Sequence, residues 1–288
     1  MNWLLPAALC SISIALILKV NERRAGSRIL IAGANYLVAS AISFFMLGSR
    51  VPRVGTAVLS LGGAAGIIYV LGFLLLMAGI ARMPLAVPVT VARLSVVLPV
   101  AVSVLLWAEG PGLFQWLGIC FGLAAVVLFG VSISGAGGAS GAGGPASSTG
   151  RSSWPLVLSL FVVLGLGDVV LKAFRETASD ADRLSFTFVL FDVAAVFTWI
   201  LVAARRIRFD ARTFALGAVL GVPNLFSTVF TLQALRTVPA SIVFPFINIT
   251  VIAGTALLAL LVWRERPRGA SVAGLLAAAC AIVLLAMR

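Results

Sequence analysis

Apolar residues in this chain come in long, nearly unbroken runs rather than in the one-sided stripes of water-soluble helices. Ten runs can be drawn, at about 2–20, 28–47, 56–79, 84–107, 112–130, 154–174, 184–203, 213–234, 239–262 and 270–287. Each comes close to the roughly 20 helical residues needed to cross a bilayer. A backbone in hydrocarbon must satisfy its own hydrogen bonds, so the predicted fold class is an all-α integral membrane protein with ten transmembrane helices. Most connections are so short that sequence neighbours must run antiparallel. The exception is 131–153, a Gly/Ser/Ala-rich and almost uncharged stretch that reads as a flexible linker. It divides the chain into one five-helix unit at 1–130 and another at 154–288.

The two units repeat one another. A Pro-started run from Pro84 ends in Trp107-Ala-Glu109-Gly-Pro111, and one from Pro239 ends in Trp263-Arg-Glu265-Arg-Pro267. Gly118 and Gly274 each follow their proline by seven positions. Gly66 to Tyr69, followed by Met83-Pro84, lines up with Gly221 to Asn224, followed by Val238-Pro239, at an offset of 155. From Trp107 the offset is 156, which places one extra residue in segment 239–262 relative to 84–107. Leu18-Lys19 aligns with Leu171-Lys172 at 153, and Tyr36 falls near Asp192. An odd number of spans per copy inserts the second copy upside down, which predicts an inverted repeat.

Composition sharpens this picture. At 61% hydrophobic and 10% charged residues, with a mean hydropathy of +1.16, the chain has no surface to offer water and is excluded from the soluble classes. The net charge of +12 would suggest nucleic acid in a soluble protein. Here the arginines sit in short loops, where topology and anionic headgroups account for them, and no nucleic-acid partner is expected. Loop Lys and Arg gather on the side that carries Lys19 to Arg28, Arg82, Arg205 to Arg212 and Arg264 to Arg268. That side is assigned to the cytoplasm and both termini to the outside. No cleavable signal is read at the N-terminus, so the first helix is expected to be retained. Cys10, Cys120 and Cys280 lie inside apolar runs without ligand spacing, and the chain has no histidine. No metal and no cofactor are expected.

Polar groups inside spans are the candidate chemistry, because a charge at the bilayer centre costs about 2.5–3.5 kcal/mol on insertion scales. Arg93 lies mid-segment, and its repeat equivalent is Asn248. One reading makes them a substrate-facing pair, with the guanidinium fork on a carboxylate. The other makes Arg93 a structural ion pair with Asp168 or Asp192. Either aspartate would suit a substrate amino group or a coupling proton, and Asp192 equally suits a neutral structural acid. Tyr69 opposite Asn224, and Tyr36 opposite Asp192, would bind a ligand or join helices. Lys19 and Lys172 close matched runs and are read as snorkelling toward headgroups or as gating positions, one on each side of the membrane. Pro88 and Pro99 in segment 84–107, and Pro245 in 239–262, mark those segments as cavity walls that bend. Glu109 and Glu265 are expected to complement the first turn of the helix that follows each of them.

These features together resemble the EamA-type drug/metabolite transporter superfamily. The resemblance rests on two five-helix units, the Glu-x-Pro turns before the last helix of each, Lys19 and Lys172, and the Met83-Pro84 and Val238-Pro239 entries. It implies a solvent-filled cavity between the units and, from the way such members are often drawn, cytoplasmic termini. The expected function is secondary transport, as an exporter, of small polar or zwitterionic metabolites such as amino acids by alternating access. The location is the bacterial inner membrane, protons are a candidate coupling ion, and a monomer or homodimer suffices. Arg93, Asn248, Tyr69, Asn224, Tyr36 and Asp192 are the expected binding residues, with Asp168, Lys19 and Lys172 for coupling or gating. The alternative is a multidrug or lipophilic-cation efflux transporter. The competing class is a non-transporting lipid-binding protein or intramembrane enzyme, whose sole dyad would be Asp168 with Asp192. The expectation is that the protein is not an enzyme.

Overall fold

The computed structural model describes residues 2–24, 26–48, 55–82, 86–137, 154–263 and 269–287. Among them the regular structure is entirely helical, in the order α1 (Leu4–Arg23), α2 (Arg28–Leu47), α3 (Thr56–Arg82), α4 (Ala86–Leu94), α5 (Val97–Trp107), α6 (Leu113–Gly137), α7 (Trp154–Thr177), α8 (Arg183–Ala204), α9 (Ala211–Ala234), α10 (Ala240–Trp263) and α11 (Gly269–Ala286). A single 3-10 turn at Asp180–Asp182 precedes α8. Helix starts are set by side-chain caps where the loop is tight. The Ser27 hydroxyl accepts from the Leu30 amide, and the Asp210 carboxylate accepts from the Thr213 amide at 2.9 Å.

Five stretches are long and apolar enough to cross a membrane: Arg28–Leu47, Thr56–Gly79, Pro155–Thr177, Asp180–Ala204 and Ala211–Ala234. Shorter apolar helices cover Leu4–Leu18, Val91–Trp107, Leu113–Leu128, Ala240–Thr255 and Val272–Ala286. The outside of the bundle is greasy: Leu105 is 80% exposed and Phe45 79%. Large apolar side chains facing outward in this way are solvated by lipid and not by water. The protein is a multi-pass membrane protein.

Among the described residues every expected apolar run forms a helix, with one internal difference. Segment 84–107 is not one helix but two, α4 and α5, separated at Ser95–Val96. Pro99 explains the break. It has no N–H to give the Ser95 carbonyl, and its ring crowds that carbonyl. The Ser95 carbonyl accepts instead from the Leu98 amide at 3.0 Å, one residue short of the α-helical spacing. Pro245 leaves α10 continuous, so only one of these two segments is broken. Residues 131–137 of the expected linker continue α6, and the remainder lies outside the described residues.

Helices of the first half pack chiefly on helices of the second. α2 packs on α8 and α9, α3 on α8 and α7, α1 on α9 and α10, α7 on α5, and α6 on α11. These pairings map onto one another when the halves are exchanged. The register is repeated at atomic level. A Cβ added at Gly66 would meet the Leu190 carbonyl at 2.6 Å, and one at Gly221 would meet the Asn35 carbonyl at 2.7 Å. Gly62 lies against Phe186 and Val189, and Gly217 against Ile31 and Ala34. Each contact recurs 155 residues on, with the halves swapped. Only glycine permits backbone approach this close, so α3 on α8 and α9 on α2 form a tight centre.

Candidate functional site

A cavity of about 350 Å³ opens between α1, α3, α4, α7, α9 and α10. Its charged groups are Arg93 and Asp168. Arg93 stands in the last turn of α4, which the break at Ser95 converts from mid-helix to a helix end. The helix end carries partial negative charge, which eases the burial of a cation, and its carbonyls are engaged locally: Val91 by the Ser95 amide, Ala92 by the Ser95 hydroxyl and Arg93 by the Val96 amide. Its Nη1 donates to Asn248 Oδ1 at 3.3 Å, and Asn248 Nδ2 donates to the Phe244 carbonyl at 3.1 Å. Asn248 is thereby turned with its oxygen to the arginine. The two repeat equivalents meet directly.

Asp168 reaches the cavity from α7, directly after Gly165 and Gly167. Gly165 lets α7 settle on Leu98 and the Ser95 carbonyl at the broken helix. Among the described residues no group donates to the Asp168 carboxyl, and no ion pair within 4.0 Å joins it to Arg93. Opposite charges in one cavity are thus held apart.

The remaining polar lining comes from α9, α3 and α1. Asn224, Thr228 and Thr231, with Ser227 beside them, form a stripe down one face of α9. Asn224 Nδ2 donates to Asn35 Oδ1 at 3.1 Å, while Ser11 and Ser227 share a hydrogen bond of 2.8 Å. Tyr69 completes the wall. Five expected residues therefore converge: Arg93, Asn248, Tyr69, Asn224 and Asp168. Ser11 and Ser227 were not anticipated. The stripe spacing on α9 carried a signal for Ser227, whereas Ser11 has no polar counterpart in the repeat.

The arrangement pairs a planar cation with an acid across a small cavity. Residues 152–287 match the sequence model of the EamA-like transporter family. Over that stretch the chain is similar to the EamA-like transporters. A protein of Haemophilus influenzae described only as uncharacterized is 26% identical over 287 aligned positions, covering 92% of this chain and 91% of the relative. A protein crystal structure superposes over 99% of this chain and 95% of its own with a TM-score of 0.74 at 14% identity. That likeness is one of fold.

Three of the expected site residues, Asp192, Tyr36 and Lys172, stand apart from the cavity. Asp192 accepts a hydrogen bond from Ser40 at 3.1 Å and joins α8 to α2. No hydrogen bond links it to Asp168, so the aspartyl dyad is not formed. Tyr36 is buried with its ring on Phe191, centroids 6.4 Å apart. At the 155-residue register of the glycine contacts, Phe191 and not Asp192 is its repeat equivalent. Lys172 is neither snorkelling nor in the cavity. It is 4% exposed, pairs with Glu109 at 2.6 Å and with Glu176, and lies 5.5 Å from the Trp107 ring centroid. The side chain of Lys19 lies outside the described residues, as does Glu265.

Glu109 departs from expectation most. It caps not the helix that follows it but α10, accepting from the amides of Ala240 at 3.1 Å and Ser241 at 3.0 Å. Ala108 makes this possible. It adopts a left-handed conformation (φ 52°) at the end of α5 and turns the chain off the helix axis. Burial alone would raise the Glu109 carboxyl. Lys172 and the two amides outweigh it and hold the group below its ordinary value.

Proposed function

We propose that the protein is a secondary transporter, an exporter of small zwitterionic metabolites such as amino acids. It works by alternating access in the bacterial inner membrane. The observation that carries this reading is the cavity in which Arg93 and Asp168 share one space without touching. A carboxylate fits the guanidinium fork, and an ammonium fits Asp168. One ligand carrying both would neutralise the two charges at once. Asn248 aims the arginine, and Asn224, Tyr69 and the hydroxyls of α9 supply neutral hydrogen bonds around the remainder. An isolated cation or anion would leave one buried charge uncompensated.

The ten helical runs are read as ten spans, in two inverted five-helix repeats at 1–130 and 154–288. The swapped glycine contacts and the meeting of Arg93 with Asn248 support this, as does the full-length similarity to the Haemophilus influenzae protein. The cavity lies between the repeats, where alternating access places a substrate.

The test is a thermal-shift series on purified protein with amino acids, with the matching amines and with the matching carboxylic acids. Zwitterions should stabilise the wild type more than either single-charge analogue and should lose that advantage in Arg93→Ala. Equal stabilisation of Arg93→Ala by the same amino acids would remove the assignment.

A further inference from the structure

Lys172 and Glu109 take no part in the cavity, yet they tie together the helices that build it. Arg93 is carried on α4 and, through the break, on α5. Asp168 is carried on α7, and Asn248 on α10. Glu109 follows the end of α5, Lys172 lies one helical turn beyond Asp168 on α7, and Ala240 and Ser241 open α10. A single carboxylate therefore holds the three site-bearing elements at one end of the bundle, with one oxygen on Ala240 and Lys172 and the other on Ser241. The Trp107 ring covers the ammonium. Neighbouring Leu171 already lines the cavity, so the knot sits directly over it.

We propose that the Glu109–Lys172 pair, seated on the start of α10, is the lock that closes this end of the cavity. Passage of substrate at this end requires the pair to part. Glu176, which also contacts Lys172 but stays on α7, plays no part in the closure. This inference rests on the transport reading for its purpose, but its test uses no substrate, so either one fails without the other.

The three native cysteines are replaced by serine, and Thr231, which lines the cavity in the last turn of α9, is changed to cysteine. Its reaction with a membrane-impermeant maleimide is followed in right-side-out and inside-out vesicles. Glu109→Gln and Lys172→Met should each raise the labelling rate about tenfold or more from one face only. Lys172→Arg and Glu176→Gln should leave it at the starting rate. A cysteine at the fully buried Ala39 reports unfolding and should stay unreactive throughout. Unchanged labelling in both lock variants overturns the proposal. So does an equal rise in Glu176→Gln, which would make any charge loss sufficient. Reaction at Ala39 in the lock variants overturns it as well, because the pair would then be a general clamp and not a gate.

Discussion

Two pairs of opposite charges sit one helical turn apart along α7, and they are built in opposite ways. At Lys172 the charges are pressed together: the ammonium meets Glu109 at 2.6 Å and is almost wholly buried, and the carboxylate is further held by two amides. At Asp168 the partner is Arg93, and the two are kept apart across open space. A buried pair that is made and fully hydrogen-bonded stabilises a single arrangement, whereas a pair left unmade stores attraction for something that enters between. One helix thus carries a made pair and an unmade one, a difference that the sequence does not display.

Breaking the closed pair should have the largest effect. Lys172→Met leaves Glu109 buried without its counter-ion and should lower stability by about 3–5 kcal/mol in denaturant unfolding of the detergent-solubilised protein. Arg93→Ala should cost less in the same measurement, about 1–3 kcal/mol, since it breaks no made ion pair but leaves the Asn248 oxygen without its donor. Equal losses would erase the contrast. The open pair should show itself in binding. Arg93→Ala should weaken zwitterion binding tenfold or more by calorimetry, about 1.4 kcal/mol or above. Arg93→Lys should not recover it, because an ammonium lacks the planar fork. Asp168→Asn should cost amino acids a comparable or slightly smaller factor while leaving carboxylic acids without an amine unaffected. Loss of both ligand classes would assign Asp168 to cavity shape instead of ammonium recognition.

The smallest effect is in pH. Because the folded Glu109 carboxyl is held below its ordinary value, its contribution is complete above the unfolded carboxylate range near about 4.3. It is lost as pH falls through that range toward the folded value. The stability difference between wild type and Glu109→Gln should therefore be constant around neutrality and shrink on acidification. A difference that grows instead would contradict the hydrogen-bonding described for the closed pair.

Local rules reached far into this fold. Run length located the helices, while Pro88, Pro99 and Pro245 marked two segments to bend without saying that one of them would split at Ser95. The repeat placed Arg93 over Asn248, and the structure joins them by a hydrogen bond. What escaped was information that sequence spacing does not hold. Asp168 and Asp192 are both intramembrane acids, and only the rotation of α7 and α8 in the bundle turns one to the cavity and the other to Ser40. The pairing of Tyr36 with Asp192 slipped by one position, which on a helix is about 100° of rotation and the whole difference between facing Phe191 and missing it. Glu109 was assigned to its own helix because capping rules are local, whereas its partners on α10 are 131 and 132 positions away.

The missing turn bond at Ser95 has a consequence for energy balance. Register is kept at 155 between the halves as far as Arg93 and Asn248. Beyond it, Leu98 on Gly165 is answered by Gly254 on Ile12, at 156. The extra residue of α10 thus falls opposite the break, and the shorter copy is the one that kinks. If the halves trade conformations, as the inverted-repeat reading requires, they do not trade equal parts. One is a jointed rod ending in a cation, the other a continuous rod carrying an amide. On that reading the two facings of the empty protein would be unequal in free energy, and its own backbone would set a preferred resting side before any gradient or ligand acts on it.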